Sequence, residues 1–305
     1  MQKDTMHGIG CFLWYDKAKK KGVDAMEDRV TERVTPIYMD VIWIVLKAVV
    51  GFAVIRILTR GIKIFPGVYG DAFSVALFTW WMFCCVRGWA KAEGYTLEAC
   101  RVTKPAMSWS DFAFVFGFLF IHYLLMSLTA DRVFYTEMSL LDIIPLSMSG
   151  ILHSGIGSGL NEELAFRGYL VKSLEDKIGI TKAIVISSVV FGLIHMLNGG
   201  MTPWMMVWIA IGAGSLGAMF AVITYKTGSI WRAVLAHACC NLGSLIVDYE
   251  NGNCLFIIDF PAGMTGESIF CMSYAVISML CMIVILGYWL KEQYDKRKGD
   301  AINGK

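Results

Sequence analysis

The feature that most constrains this chain is a series of eight apolar runs, at about residues 37–59, 72–90, 110–130, 143–172, 182–198, 203–224, 228–248 and 268–290. A helix of about 20 apolar residues crosses the hydrocarbon layer of a bilayer. Backbone N–H and C=O groups in lipid must be satisfied internally, so every run is expected as a helix rather than an open strand. The expected fold is all-α, a polytopic membrane bundle of about eight transmembrane helices. Composition agrees: 56% of the 305 residues are apolar and 17% are charged, against about 45–50% and about 25% in soluble domains. These figures exclude a cytosolic globular enzyme and a disordered chain. A net charge of +2 with no long basic stripe excludes a nucleic-acid partner.

The distribution of basic residues tests the count of spans. Lys and Arg concentrate in cytoplasmic segments of membrane proteins. With the N-terminus placed inside, the inner segments hold 21 Lys/Arg and the outer loops hold only Arg60, Lys63 and Arg132. The bias predicts a multi-pass protein of the cell membrane with both termini cytoplasmic. The organisation expected is a cytoplasmic polar tail at 1–36, a single transmembrane domain at 37–291 and a cytoplasmic basic tail at 292–305. The apolar stretch Cys11–Tyr15 is too short for the core of a cleavable signal. The basic cluster Lys17, Lys19, Lys20 and Lys21 suits a tail lying near an anionic membrane surface. Gly155, Gly157, Gly159, Gly212, Gly214 and Gly217 are expected to let helices approach closely. Of the nine cysteines, Cys84, Cys85, Cys239, Cys240, Cys271 and Cys281 lie in apolar runs, and no CxxC pair occurs. Neither a zinc ribbon nor a thioredoxin-type motif is indicated.

Charge inside a span is expensive, so each case is a candidate for function. Lys47 and Arg56 fall in the first run; Arg56 is near its end and can snorkel, and a structural pairing is expected for Lys47. The fourth run carries Asn161-Glu162-Glu163-Leu164-Ala165-Phe166-Arg167-Gly168. Glu163 and Arg167 are four apart and can pair on one helix face. Glu162 is turned about 100° away in an α-helix. With Glu163 neutralised by Arg167, Glu162 is the more available base. Burial disfavours the charged carboxylate and brings it toward what general-base work near neutrality needs.

Two further runs supply partners. The fifth contains Phe191 and His195; the seventh contains His237 and Asn241, four apart on one face. Counted from the inner ends of their runs at 1.5 Å per residue, Glu162, His195 and His237 lie about 15, 20 and 14 Å deep. Three polar groups from three spans thus fall in one layer, the clustering expected of an active site. His122 and His153 have no such company and read as helix–helix hydrogen-bonding groups; His153 should face away from Glu162.

The three blocks together resemble the CAAX protease and bacteriocin-processing (Abi) family of intramembrane glutamate proteases, in its bacterial branch. The family motifs EExxxR, FxxxH and HxxxN stand here as Glu162, Glu163 and Arg167, then Phe191 and His195, then His237 and Asn241. The resemblance covers about residues 145–248. It implies an endopeptidase that hydrolyses a peptide bond of a membrane-associated peptide or protein tail. Glu162 would activate a water with help from His195, and His237 and Asn241 would stabilise the oxyanion. Glu163 and Arg167 would hold the cavity in shape, and Phe191 would pack against it, a role shared with plain core filling. No cofactor is expected. Zinc stays open as a minority alternative, with Glu162, His195 and His237 as ligands, because Glu and His suit Zn²⁺. The HExxH spacing and the GxSxG serine elbow are both missing.

Two other readings are carried. One is a non-proteolytic membrane scaffold or a bacteriocin self-immunity or regulatory protein. The other is a proton-coupled transporter, which also uses intramembrane carboxylates and histidines; no repeated half with broken helices supports it.

Overall fold

A computed structural model of the chain describes residues 36–61, 67–105, 108–197, 201–242, 247–248, 254–261 and 265–302. The expected tail at 1–36 lies outside the described residues except for Pro36. The chain divides into two units, Met1–Ile42 and Trp43–Lys305. The first is described only in its last residues, which form the opening turns of the first helix. The rest concerns the second unit.

The fold is an all-α membrane bundle. In chain order its helices are α1 (Ile37–Gly61), α2 (Gly67–Ala92), α3 (Trp109–Leu128), α4 (Leu140–Gly150), α5 (Val171–Ile178), α6 (Ile180–His195), α7 (Pro203–Thr227), α8 (Trp231–Leu242) and α9 (Gly266–Ile302). Between α4 and α5 the chain stays helical through two π segments, π1 (Ile151–Leu160) and π2 (Glu163–Leu170). Residues 140–178 are therefore one unbroken helical stretch. It ends at Gly179, whose φ of +80° is open to glycine at little cost. Ser108 and Asp111 cap α3, and Ser139 and Asp142 cap α4, each pair forming a capping box.

Five described helices, within α1, α2, α3, α7 and α9, are long and apolar enough to cross a bilayer. The fourth, fifth and seventh runs appear as helices too, with different limits. The fourth contains the polar block, and the fifth, α6, is a shorter apolar helix of 16 residues. The seventh run differs from expectation. Its helix stops at Leu242, and Val247–Asp248, which the sequence reading placed in that helix, form strand β2. β2 runs parallel to β3 (Phe256–Asp259), and β3 pairs antiparallel with β1 (Arg132–Tyr135). Backbone groups of β2 are satisfied across the sheet rather than along a helix, which is why an apolar run can leave the helix there.

These contacts order the two ends of the bundle. The β1–β3 ladder joins the segment after α3 to the segment before α9, so both lie at one end. At the other end Arg101 pairs with Glu175 at 2.6 Å, the Trp231 indole donates to the Thr103 carbonyl at 2.6 Å, and Lys226 pairs with Glu292. Lys47 has the structural partner expected of it: its ammonium reaches Glu93 at 2.6 Å. Glu93 also accepts from Tyr169 at 2.5 Å and Ser173 at 2.6 Å, tying α1 and the end of α2 to the junction of π2 and α5.

Close helix approach depends on glycine at α6 and α7. A Cβ on Gly192 would meet the Ala210 carbonyl oxygen at 2.4 Å and the Gly214 Cα at 3.2 Å. Ser187, Ser188 and Gly192 of α6 are buried. The described cysteines are all free, and Cys254, on the segment leading into β3, is buried.

Candidate active site

Asn161 sits where π1 ends. Its amide nitrogen donates to the carbonyls of Ile156 and Gly157, both at 3.1 Å, and to the Thr79 hydroxyl of α2 at 3.0 Å. The side chain thus satisfies carbonyls in the last turn of π1 and anchors that turn to a neighbouring helix. π segments of this kind gather at functional sites. Glu162 and Glu163 follow immediately and are buried, at 4% and 0% exposure.

Arg167 Nη1 lies 3.2 Å from Glu163 Oε1, the pairing expected from their spacing. Glu162 faces other partners, Arg56 at 3.5 Å and His195 at 4.0 Å, and the two carboxylates share His237. His237 Nδ1 is 2.9 Å from Glu163 Oε1, and His237 Nε2 is 3.8 Å from Glu162 Oε2. One imidazole of α8 thus reaches both carboxylates. Gly159 makes this possible, since a Cβ there would stand 3.2 Å from the Ala238 backbone nitrogen, next to His237.

His195 ends α6. Its Nδ1 is 2.7 Å from the Phe191 carbonyl oxygen, and its Nε2 is 4.0 Å from Glu162 Oε2. A ring that donates from Nδ1 to a carbonyl keeps Nε2 for the cavity. Phe191, one turn earlier, lies against most of the site. Its ring is 4.6 Å from the His195 ring and 6.0 Å from the His237 ring, and the Arg167 guanidinium stacks over it at 4.0 Å. Gly217 of α7 leaves room for that stack: a Cβ there would be 3.0 Å from Arg167 Nη2.

The charges balance within the cluster. Arg167 is fully buried beside Glu163, and Arg56 of α1 brings Nη1 to 3.5 Å from Glu162 Oε1. Two guanidiniums thus face two carboxylates: Arg167, Glu163 and Glu162 are buried and need paired counter-charges, while Arg56 keeps about a third of its side chain exposed. Arg56 was read from sequence as a snorkelling residue; the structure puts it at the site instead. Phe220 of α7 was also missed, and its ring stacks on His237 at 5.4 Å.

A cavity of about 330 Å³ is lined by Glu162, His195, His237 and Asn241 together with Arg56 and Phe191. Its remaining wall includes Tyr123 of α3, Ser158 of π1, and Phe270 and Tyr274 of α9. All four residues given a catalytic role from sequence thus meet around one space. His122 is buried among Phe118, Tyr123, Phe270 and Tyr274 and does not line it. His153 is exposed and also lies away from it. The donor set around Glu162 is one carboxylate with two imidazole nitrogens at 3.8 and 4.0 Å. Among the described residues no group of three or more His, Cys, Asp or Glu has the geometry of a metal site.

Chemically the cavity offers a carboxylate flanked by two imidazoles, an amide on the same helix face as one of them, and a fixed cationic counter-charge. That combination suits activation of a water beside a polarised carbonyl. Residues 144–243 match a family model described as type II CAAX prenyl endopeptidase Rce1-like. The matched segment holds every motif residue above and leaves out α1 with Arg56, and it accounts for about a third of the chain. No curated protein matches the chain.

Proposed function

We propose that this Rce1-like chain is an intramembrane endopeptidase in which Glu162 is the general base. The match at 144–243 supports a membrane protease in general. The observation that carries the finer reading is the meeting of Glu162 with His195 and His237 at 4.0 and 3.8 Å in a cavity shared with Asn241. A gap of 4.0 Å between a carboxylate oxygen and an imidazole nitrogen is one that a single water bridges, with a bond to each.

In the reaction, that water gives a proton to Glu162 as its oxygen attacks the scissile carbonyl. His195 Nε2 accepts a hydrogen bond from the same water and orients its lone pair. The developing oxyanion is met by His237 Nε2 and the Asn241 amide, donors held in place before the substrate arrives. Donation from both nitrogens of His237 uses the doubly protonated ring, whose charge Glu163 offsets through Nδ1. Glu162 then passes its proton to the leaving amine, so the enzyme returns to its starting state with no cofactor consumed. Arg167 holds Glu163, and Phe191 holds Arg167. Substrate would be a peptide or protein tail at the bilayer, because the cavity lies among helices that cross it.

Reconstitution in liposomes with a library of lipid-anchored peptides tests the reading. New termini, read by mass spectrometry, are expected with wild type. A wild type that produces none would return the chain to the scaffold reading.

A further inference from the structure

Strand β1 is exposed on both faces, with Val133 at 48%, Phe134 at 43% and Tyr135 at 52%. It is an edge strand, since the sheet order is β1-β3-β2. The Thr136 amide donates to the Leu255 carbonyl at 3.1 Å, which makes Thr136 and Leu255 a hydrogen-bonded pair of the ladder. Such pairs alternate along an antiparallel ladder. Phe134 and Arg132 therefore also bond to β3, and the N–H and C=O groups of Val133 and Tyr135 point to the other edge, where no strand pairs among the described residues. An apolar edge strand with free backbone groups is a template for another strand, and proteins normally blunt it with Lys, Pro or a bulge. At its start β1 carries Arg132, and the Asp131 amide bonds to the Asp259 carbonyl at 2.9 Å, so the pairing is irregular there; Val133-Phe134-Tyr135 beyond it carries no Lys, Pro or bulge.

Its position bears on the cavity. β1 starts four residues after α3, and α3 carries the cavity residue Tyr123, five residues before its end. β3 leads into α9, whose fifth residue is Phe270 of the cavity wall. Asn241 is one residue from the end of α8, which leads to β2. Every helix next to the sheet thus contributes a wall residue within five residues of the helix end that adjoins it, about 8 Å at 1.5 Å per residue. This puts the sheet at the end of the bundle where these wall residues lie.

Resting on the protease reading, the geometry points to β1 as a docking strand for the substrate: an extended segment of the peptide pairs with its free edge through Val133 and Tyr135. A peptide bond inside a helix has its carbonyl hydrogen-bonded and its faces covered by the turns above and below, so hydrolysis needs the segment extended. Strand addition supplies main-chain bonds independent of side chains, and the apolar faces of β1 suit a segment drawn from the bilayer.

The test uses the full chain in liposomes and a lipid-anchored fluorogenic peptide that wild type cleaves. Val133→Pro removes one outward N–H; KM is expected to rise at least tenfold with kcat within about twofold, and Val133→Thr to leave KM unchanged. The substrate side gives an independent reading that needs no folded variant. Peptides N-methylated at alternate residues, in the two possible registers, should differ at least tenfold in KM with wild type. Equal KM for both registers, or a KM indifferent to Val133→Pro, would overturn the docking strand while leaving the protease reading intact. A dimer that Val133→Pro dissolves would assign the edge to a second copy and also overturn it. A wild type that cleaves no peptide would remove the protease reading and the docking strand with it.

Discussion

His237 is held by Glu163, with its Nδ1 2.9 Å from the Glu163 Oε1, and this bond aims Nε2 at Glu162 and the cavity. The second glutamate of the pair therefore acts on the site through an imidazole of another helix, as well as through Arg167. Glu163→Gln keeps an acceptor for Nδ1 but removes the charge that offsets a doubly protonated ring. In metal sites, partners that orient a histidine are worth about 10–100-fold in activity, and the same order is taken for an imidazole held by Glu163. We expect kcat to fall by that amount with little change in KM. Glu163→Gln and His237→Gln should be strongly non-additive in a double-mutant cycle, because one contact is removed twice. Additive losses would separate the two residues.

Asn241 shares a helix face with His237 and the wall of the same cavity. Removing one donor from an oxyanion site typically costs about 10²–10³ in kcat. Asn241→Ala is expected to lose that factor, measured by steady-state cleavage in liposomes, and Asn241→Asp to lose at least as much by placing a negative charge beside the oxyanion.

Much of this site was readable before any coordinates, and the reason is physical. A carboxylate in an apolar run is too costly to be incidental, so Glu162 and Glu163 announced themselves, and His195 and His237 followed from depth. What was not readable depended on geometry without a residue signature. That His237 lies between Glu162 and Glu163 has no signature in the spacing of residues on separate helices. Arg56 obeys the same rule that explains snorkelling near a helix end, and only its 3.5 Å approach to Glu162 distinguishes it. β2 is two residues long and pairs with residues nine positions further along the chain, beyond what alternation in an apolar run can reveal.

Glu93 supports the site from the other end of the bundle. Burial pushes its carboxyl up, but hydrogen bonds from Lys47, Ser173 and Tyr169 outweigh it and hold the pKa below the ordinary value. A carboxylate lowered in the folded state stabilises the fold fully above its unfolded value, about 4.3 for Glu. That contribution is lost as pH falls from there through the lowered folded value. Glu93→Gln should therefore lower thermal stability in detergent at pH 7, by about 1–3 kcal/mol for the lost charged hydrogen bonds. The gap between variant and wild type should close below pH 4. A gap independent of pH would contradict the assignment.

Gly217 keeps α7 clear of the Arg167–Phe191 stack, where a Cβ would lie 3.0 Å from Nη2 and 3.2 Å from the Phe191 ring. Gly217→Ala is expected to cost about 1–3 kcal/mol, the range for overpacking. It should also lower kcat, since displaced Arg167 no longer fixes Glu163. Stability measured by unfolding in detergent and kcat measured on the same preparation should fall together.

The central claim is that Glu162 activates water without a metal. The most direct measurement is cleavage of one peptide substrate in liposomes by wild type and by Glu162→Ala, each with and without a chelator of divalent cations. Loss of a general base costs about 10²–10⁴-fold. The account predicts that loss in Glu162→Ala, with wild-type cleavage unchanged by the chelator. Cleavage that persists in Glu162→Ala, or wild-type activity that the chelator abolishes and zinc restores, would contradict it.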